Sequence, residues 1–370
     1  MTPEKKKKIL FLSPLPPPYM GPTMATDIIL NSKLKNDFSL IHLDTSDHRE
    51  LDFLNKIDFR NVFLAIKHGV VLFWLIITRM PDLIYIPVSQ TTLGYVRDSA
   101  YILLSKIFRR KVVCHLRGGN FKNWYDSSSS LVRRYIRSIH SLVDGQIVLG
   151  KKLSKLFDGI VPPNKIYVVP NGKNEQFAYK KIHSNNKIRI VYLSNMIGAK
   201  GLFHVLDAVP EVAATNNNNI EFIFAGNWTD EKTKKMFEEF CGKPQFISAK
   251  AVGPVYGNDK YDLLFSSDIF VFPPVQEEGH PWVIIEAMGA GLPIVATDRG
   301  AITESVVDGK NGFIVEKKNP TQIAEKIKYL IDNPEQRKKM GEESRRMYLE
   351  NFTEDKMITR LSYAFNTVLG

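Results

Sequence analysis

Ile269-Phe270-Val271-Phe272-Pro273-Pro274 is followed by Glu277-Glu278-Gly279-His280-Pro281-Trp282-Val283-Ile284-Ile285-Glu286-Ala287, then by Gly289-Ala290-Gly291 and Pro293-Ile294-Val295-Ala296-Thr297. The outer runs have the pattern of buried strands, and the segment between them reads as a helix that ends at glycine. Strand, helix and strand in that order make a βαβ unit and point to an α/β class. Glu278 then lies in the loop at a strand's carboxyl end, and Glu286 about a turn into the helix. In open α/β sheets ligands bind at that edge. The helix start offers free backbone N–H groups and a partial positive charge, which suit a phosphate. Carboxylates would repel a phosphate, so their expected partners are hydroxyls, as sugars and ribose present. Taken alone, the pair also reads as one surface loop glutamate and one exposed helix glutamate.

The block resembles the signature of the retaining glycosyltransferases of family 4, which have the GT-B fold: an acidic residue, Gly, a small or polar turn, then Glu-Ala at the same spacing. The resemblance continues through Gly291-Leu292-Pro293, Gly300, Glu304 and Gly312-Phe313-Ile314-Val315, and it is dense over roughly residues 160 to 370. It implies two facing Rossmann-like domains with the active site in the cleft between them. It also implies that Glu286 holds the donor ribose hydroxyls and that Glu278 contacts the transferred sugar near the reacting carbon. Gly279, His280, Val283 and Ile284, in the loop and helix start between them, are expected to line the substrate.

The chain has 370 residues, which suggests two domains large enough for their own cores, and its 44% hydrophobic and 24% charged content is ordinary globular material. Only Cys114 and Cys241 are present, so no disulfide framework is expected and a reducing compartment is; Cys114 lies in an apolar strand pattern and reads as inert core. Lys5 to Lys8 precede Ile9-Leu10-Phe11-Leu12, a run shorter than a signal-peptide core, which reads as the first strand. Val70 to Ile77 is an apolar run preceded by Lys67 and His68 and followed by Arg79; a transmembrane helix needs about 20 residues, so none is expected there. Charge is uneven: residues 1–180 hold 27 Lys+Arg against 14 Asp+Glu, a net of +13, within a total of +11. The amino-terminal half therefore points at an anionic partner, with a solvated basic face as the plain alternative. Nucleic acid, a phospholipid surface and a phosphorylated acceptor all fit that charge, and docking on an anionic cytoplasmic membrane is the reading carried forward. Lys67, Arg79, Arg109, Arg110, Arg133, Arg134 and Arg137 flank predicted helices and are candidate contacts.

Strands are predicted near 7–13, 38–43, 82–88, 111–116, 145–149 and 166–169, then near 187–194, 220–225, 269–273, 293–297 and 312–315, with a weaker one ending at Gly253. Helices are predicted near 23–35, 61–79, 92–109 and 129–142, then near 201–214, 230–241, 258–266, 281–289 and 320–350. Val169-Pro170-Asn171-Gly172 is a turn signal. The expected organisation is an acceptor-binding domain over 1–172, a linker over 173–186, a nucleotide-sugar-binding domain over 187–352 and a terminal helix over 353–370. That helix offers Met357, Leu361, Tyr363 and Val368 for packing, and the resemblance implies that it crosses back to the first domain.

Smaller constellations fit the same reading. Ser194-Asn195-Met196-Ile197-Gly198-Ala199-Lys200-Gly201 follows a strand and opens a helix, so its N–H groups and Lys200 suit a diphosphate. In the resembled family this segment carries an arginine and a lysine on the diphosphate; Lys200 matches the lysine, and Asn195 stands where the arginine is expected. Gly21, after the proline-rich Ser13 to Met20, would let backbone approach a ligand, or simply belongs to a turn. His115 ends a strand beside Gly118 and Gly119, and the resemblance implies contact with the donor sugar; Arg117 is a candidate for an anionic acceptor or phosphate. Gly226 and Tyr256 lie in loops that flank the nucleotide base in the family, and Tyr256 reads equally as stacking or core.

No Asp-x-Asp triplet and no His/Cys cluster with metal spacing occurs, which favours a mechanism without metal. The expectation is a retaining glycosyltransferase that takes sugar from a UDP- or GDP-sugar, uses no cofactor, and acts on a glycan or lipid-linked acceptor in polysaccharide or glycoconjugate biosynthesis. Glu278, His115 and Lys200 are its candidate catalytic residues. Its expected place is the cytoplasm or the cytoplasmic membrane face, with no nucleic-acid partner. The alternatives are a nucleotide-sugar epimerase on a similar scaffold and a basic, non-catalytic binding protein that retains the scaffold.

Overall fold

The computed structural model describes residues 6–46, 59–174, 187–214, 219–246 and 248–370. The chain divides into two compact units, Met1–Asn171 with Glu354–Gly370, and Gly172–Thr353. Each is built on a six-stranded sheet whose strand pairs are parallel. Most of the segment expected to be a linker, residues 175–186, lies outside the described residues.

In the first unit the strands are β1 (Lys8–Ser13), β2 (Ser39–Asp44), β3 (Leu83–Val88), β4 (Lys111–Leu116), β5 (Gly145–Val148) and β6 (Ile166–Val168), in the order β2-β1-β3-β4-β5-β6. Ile9, Leu10 and Phe11 of β1 are fully buried, because an inner strand of a parallel sheet is covered on both faces. The helices are α1 (Gly21–Asn31), α2 (Leu34–Asp37), α3 (Phe59–Arg79), α4 (Thr92–Ile107), α5 (Phe121–Ser127), α6 (Ser130–Leu142) and α7 (Lys151–Ser154). The helix expected near 23–35 is two pieces, broken where Ser32 turns its N–H and hydroxyl onto the Ile29 carbonyl.

One expectation is corrected. Val70 to Ile77 is the middle of α3, which runs for 21 residues, and Arg60–Arg79 is long and apolar enough, by length and composition, to cross a membrane. Lys67, His68 and Gly69 are helical, as the helix expected near 61–79 requires, so the apolar run does not stop at them. The shortness of the run therefore excludes nothing. What constrains α3 is topology: it joins β2 to β3, the two neighbours of β1, and it buries Leu72 and Ile76 completely.

The second unit has β7 (Ile188–Leu193), β8 (Ile220–Ala225), β9 (Ala249–Gly253), β10 (Ile269–Phe272), β11 (Ile294–Thr297) and β12 (Gly312–Val315), ordered β12-β11-β10-β7-β8-β9. Its helices are α8 (Leu202–Ala213), α9 (Glu231–Cys241), α10 (Gly257–Phe265), α11 (Trp282–Gly289), α12 (Ile302–Ser305), α13 (Pro320–Asp332) and α14 (Pro334–Asn351). The single helix expected over 320–350 is interrupted at Asn333, because Pro334 has no N–H to continue α13 and instead starts α14 at a position that needs none. The chain leaves β7 in one direction and β10 in the other, so the sheet's topological switch point lies between the carboxyl ends of these two strands.

The last helix, α15 (Glu354–Leu369), belongs to the first unit, where it packs on β4, β5 and α2. Phe365 is fully buried, with ring centroids 6.0 Å from Phe11, 6.0 Å from Phe38 and 6.1 Å from Tyr85. Met357, Leu361 and Val368 are buried as their spacing suggests, whereas Tyr363 faces solvent.

His140 gives this unit a pH dependence. It is buried on α6, its Nδ1 lies 2.6 Å from the Tyr95 hydroxyl, and burial lowers its pKa to about 4. In the unfolded chain the same imidazole takes up a proton near 6.5. Between those values the unfolded state binds more protons, so stability falls as pH drops through the window. We expect a loss of roughly 3 kcal/mol from this group between pH 7 and pH 4, at about 1.4 kcal/mol per pK unit. Urea unfolding at several pH values, compared with His140→Gln, measures it; equal pH slopes for the two proteins would exclude His140 as the source.

Candidate active site

The switch point of the second unit brings the Glu278 loop, after β10, to the Lys200 loop, after β7. Val275 N–H and Gln276 N–H both donate to the Ala199 carbonyl, at 2.9 and 3.2 Å, and tie the two loops side by side. On the far side, Ala301 N–H donates to the Gly279 carbonyl at 2.9 Å. Two glycines permit this layering. Gly201, at φ +83°, carries no Cβ that would strike the Pro273 carbonyl, and Gly300, at φ +57°, none that would strike the Glu278 carbonyl.

The result is a partly buried ion pair, Lys200 Nζ to Glu278 Oε1 at 2.6 Å, with Gln276 Nε2 donating to the same oxygen at 3.1 Å. Beside it Arg299 Nη1 binds Glu277 Oε1 at 2.8 Å. Asn195 is exposed in the Lys200 loop, and among the described residues its side chain has no hydrogen-bond partner.

Glu286 sits on the inner face of α11 with both bonds on one oxygen: Lys173 Nζ at 2.7 Å and Lys260 Nζ at 2.6 Å from Oε1. Among the described residues nothing donates to Oε2. Burial would raise the pKa of this carboxyl, but Lys173 and Lys260 outweigh burial and hold it below the ordinary glutamate value. Burial likewise pulls both lysines down while Glu286 pulls them up. The balance leaves Lys173 above its ordinary value and Lys260, which also feels Lys173, below it. The triad carries a net charge of +1, and its free carboxylate oxygen can accept from a hydroxyl.

Other expected residues divide. No side chain caps the start of α11, so Pro281 to Val283 present the helix end itself, while the Ile284 N–H is taken by the Pro281 carbonyl at 3.2 Å. Ile284 is corrected: its side chain is fully buried core. His280 is corrected as well; it is buried, with Nε2 2.5 Å from Ser305 Oγ and its ring 5.2 Å from that of Phe352, so it braces the loop. Val283 is half-buried at the helix start, and Gly279 contributes its carbonyl to the layering. Tyr256 is exposed rather than core, and its hydroxyl accepts from Asn227 Nδ2 at 2.8 Å, which joins the loops after β8 and β9 that hold Gly226 and Tyr256. Among the described residues no group of three or more His, Cys, Asp and Glu side chains is arranged to hold a metal ion.

In the first unit, His115 and Arg117 share a network at the end of β4. Arg117 Nη1 donates to Asn171 Oδ1 at 3.1 Å and Nη2 to the Tyr85 hydroxyl at 2.9 Å; that hydroxyl lies 2.8 Å from His115 Nδ1. Since arginine only donates, the Tyr85 oxygen accepts from it and gives its own proton to Nδ1, which leaves the histidine proton on Nε2. Burial first, and then the charge of Arg117, push the His115 pKa well below its ordinary value, so the ring is neutral. His115 Nε2 is buried without a partner among the described residues. A neutral N–H of this kind is a hydrogen-bond donor rather than an acid at neutral pH. Gly21 is the first residue of α1 rather than part of the preceding turn.

Residues 173–347 match the family model described as glycosyl transferases group 1. This segment is similar to group 1 glycosyltransferase domains. An uncharacterized glycosyltransferase of Methanocaldococcus jannaschii is 30% identical over 179 residues, 48% of this chain and 47% of that protein. The capsular polysaccharide biosynthesis glycosyltransferase CapM of Staphylococcus aureus is 25% identical over 236 residues, 62% of this chain and 59% of that one. The chain thus spans about half the length of the curated relatives it matches. The crystal structure of Anabaena HepE in complex with UDP and glucose aligns with a TM-score of 0.71 at 16% identity, covering 98% of this chain and 100% of that one. At that identity the likeness carries the fold, and the fold is GT-B.

Within the matched segment, sequence reasoning missed both partners of Glu286. Lys173 is 113 residues away in the chain, and Lys260 looks like a solvated lysine on an amphipathic helix. A weak signal existed: Lys260 precedes Tyr261, whose ring lies under both ammonium groups, 5.8 Å from Lys173 and 5.7 Å from Lys260.

Proposed function

We propose that the protein is a glycosyltransferase that moves a sugar from a nucleotide-diphospho-sugar to a hydroxyl of a glycan or lipid-linked acceptor, with retention and without a metal. One observation carries the reading: a segment similar to group 1 domains places the Lys200–Glu278 pair and the Glu286–Lys173–Lys260 triad at the carboxyl edge of its sheet. Lys200 and the open start of α11 meet the diphosphate, Oε2 of Glu286 accepts from ribose hydroxyls, and Glu278 stabilises positive charge at the sugar carbon. The bond from that carbon to the diphosphate oxygen breaks as the bond to the acceptor oxygen forms on the same face. The acceptor proton passes to the departing phosphate. Because Lys200 supplies a cation where negative charge grows, the step needs none from a metal. HepE is a complex with UDP and glucose and CapM is named for capsular polysaccharide biosynthesis, which supports a UDP-sugar and a polysaccharide role here. The comparisons favour neither an epimerase nor a binding protein without activity.

A thermal-shift panel of UDP, GDP and their sugars tests the reading, since a ligand that binds only the folded state raises Tm by mass action. A shift with UDP and its sugars, with release of UDP on incubation, is the expected result; no shift with any nucleotide would overturn it. The same panel gauges Asn195. Its exposed side chain, without a hydrogen-bond partner among the described residues, belongs to the Lys200 loop, and Arg299 is engaged by Glu277, so Asn195→Arg should tighten UDP binding roughly tenfold, about the 1.5–3 kcal/mol of a charged hydrogen bond less its ordering cost. Unchanged or weaker binding would mean that another cation already fills that place.

A further inference from the structure

The outer layer of the first unit is built the wrong way round for water. On α3, Val62, Phe63, Ile66, Val70, Trp74 and Ile77 recur at helical spacing and all face outward, Phe63 65% and Trp74 56% exposed. The opposite face, with Leu72, Leu75 and Ile76, is the buried one. The helix is therefore apolar on both sides, with only one side in the core. Helix α4 packs against α3 and repeats the pattern: Leu93, Val96, Leu103 and Ile107 point out, Ile107 73% exposed. Phe73 and Phe108, ring centroids 5.7 Å apart, bridge the two helices and make the apolar surface continuous. Helix α6 packs on the other side of α4, and between them lies a hollow of about 240 Å³, lined by Tyr95, Val96, Trp124, Leu131 and Tyr135. Soluble proteins rarely leave so large an apolar surface without an occupant.

Charge identifies the occupant. Neither α3 nor α6 contains an acidic residue, and the only one on α4, Asp98, is buried against Arg97. Arg60, Lys67, Arg79, Arg109 and Arg134 are exposed in or beside these helices and form no ion pair among the described residues. An apolar face with aromatic residues, rimmed by cations and with no exposed carboxylate on α3, α4 or α6, is the pattern of a helix layer lying in a bilayer interface, its side chains among the acyl chains and its cations on the headgroups.

We propose that the outer face of α3, α4 and α6 is a docking surface for an anionic lipid bilayer, lying flat in the interface with α3 as its deepest element. Topology favours lying over spanning, since α3 is the crossover between strands of one sheet. Flotation of the full chain with vesicles tests this without donor or acceptor, so its outcome is separate from that of the transferase reading. The chain should bind vesicles containing phosphatidylglycerol and bind pure phosphatidylcholine far less. Phe63→Asp with Trp74→Asp should cut the bound fraction at least about tenfold while Tm is kept. Lys67→Ser with Arg109→Ser should weaken binding about fivefold per cation at low salt, and less at high salt. If the aspartate pair melts early, Ile66→Asn serves in its place. Absence of binding to anionic vesicles overturns the proposal, as does binding that neither variant set reduces. A concentration-dependent dimer that the aspartate pair dissociates, without vesicle binding, would assign the face to a second copy instead.

Discussion

Replacing Lys200 by alanine should lower kcat for sugar transfer by roughly 10²- to 10³-fold, the usual effect of removing one preorganised donor from developing negative charge. The fold should survive, because Glu278 keeps Gln276 Nε2 as a partner at 3.1 Å and the loop is held by backbone bonds to the Ala199 carbonyl. Lys200→Arg should recover part of the rate, since it restores the cation at a different reach. Glu278→Gln should also lower kcat more than it raises KM, if the carboxylate acts on charge present only in the transition state. Steady-state kinetics with a UDP-sugar, together with a melting curve, separates these cases. Near-normal kcat in a folded Lys200→Ala protein would remove this lysine from the reaction.

Glu286→Ala should harm the protein twice over. The carboxylate that joins Lys173 and Lys260 disappears, and two largely buried ammonium groups are left facing one another; breaking such a pair costs about 3–5 kcal/mol. Lys260 limits that cost. Its pKa already lies below the ordinary value, and loss of Glu286 removes the attraction that holds it up. With the folded-state pKa depressed, the unfolded state binds more protons in that window, so the variant's stability should rise as pH increases above neutrality. On the proposed reading the second effect falls on the donor, whose ribose hydroxyls would lose their acceptor. Glu286→Ala combined with Lys260→Met separates the two: it should restore most of the lost Tm and leave the donor KM raised. Recovery of both would make Glu286 a purely structural residue.

Parts of this were legible from one dimension. Inner strands such as β1 and β10 declare themselves because burial on both faces demands uninterrupted apolar runs, and glycines mark the places where loops cross. The edge strand β9, Ala249–Gly253, is mostly exposed and carries little such signal, which is why only its end was visible. Spacing alone put Glu278 at a strand end and Glu286 inside the next helix, since both distances are local.

Spacing could not say what each charged group meets. The pairing of Glu278 with Lys200 spans 78 residues, and that of Glu286 with Lys173 spans 113; sheet order, not sequence, brings such groups together. Nor does a helical pattern reveal which apolar face turns inward. His280 and Ile284 looked as available as Val283, yet burial behind the loop turns them into supports. Val70 to Ile77 fell inside the helix expected near 61–79, yet its period could not show that this helix keeps one apolar face in the core and another in the open. Local sequence determines the period of an element and the residues it offers. Only long-range packing decides which of them are covered, paired or left exposed, because burial and ion pairing depend on neighbours that the chain supplies from far away.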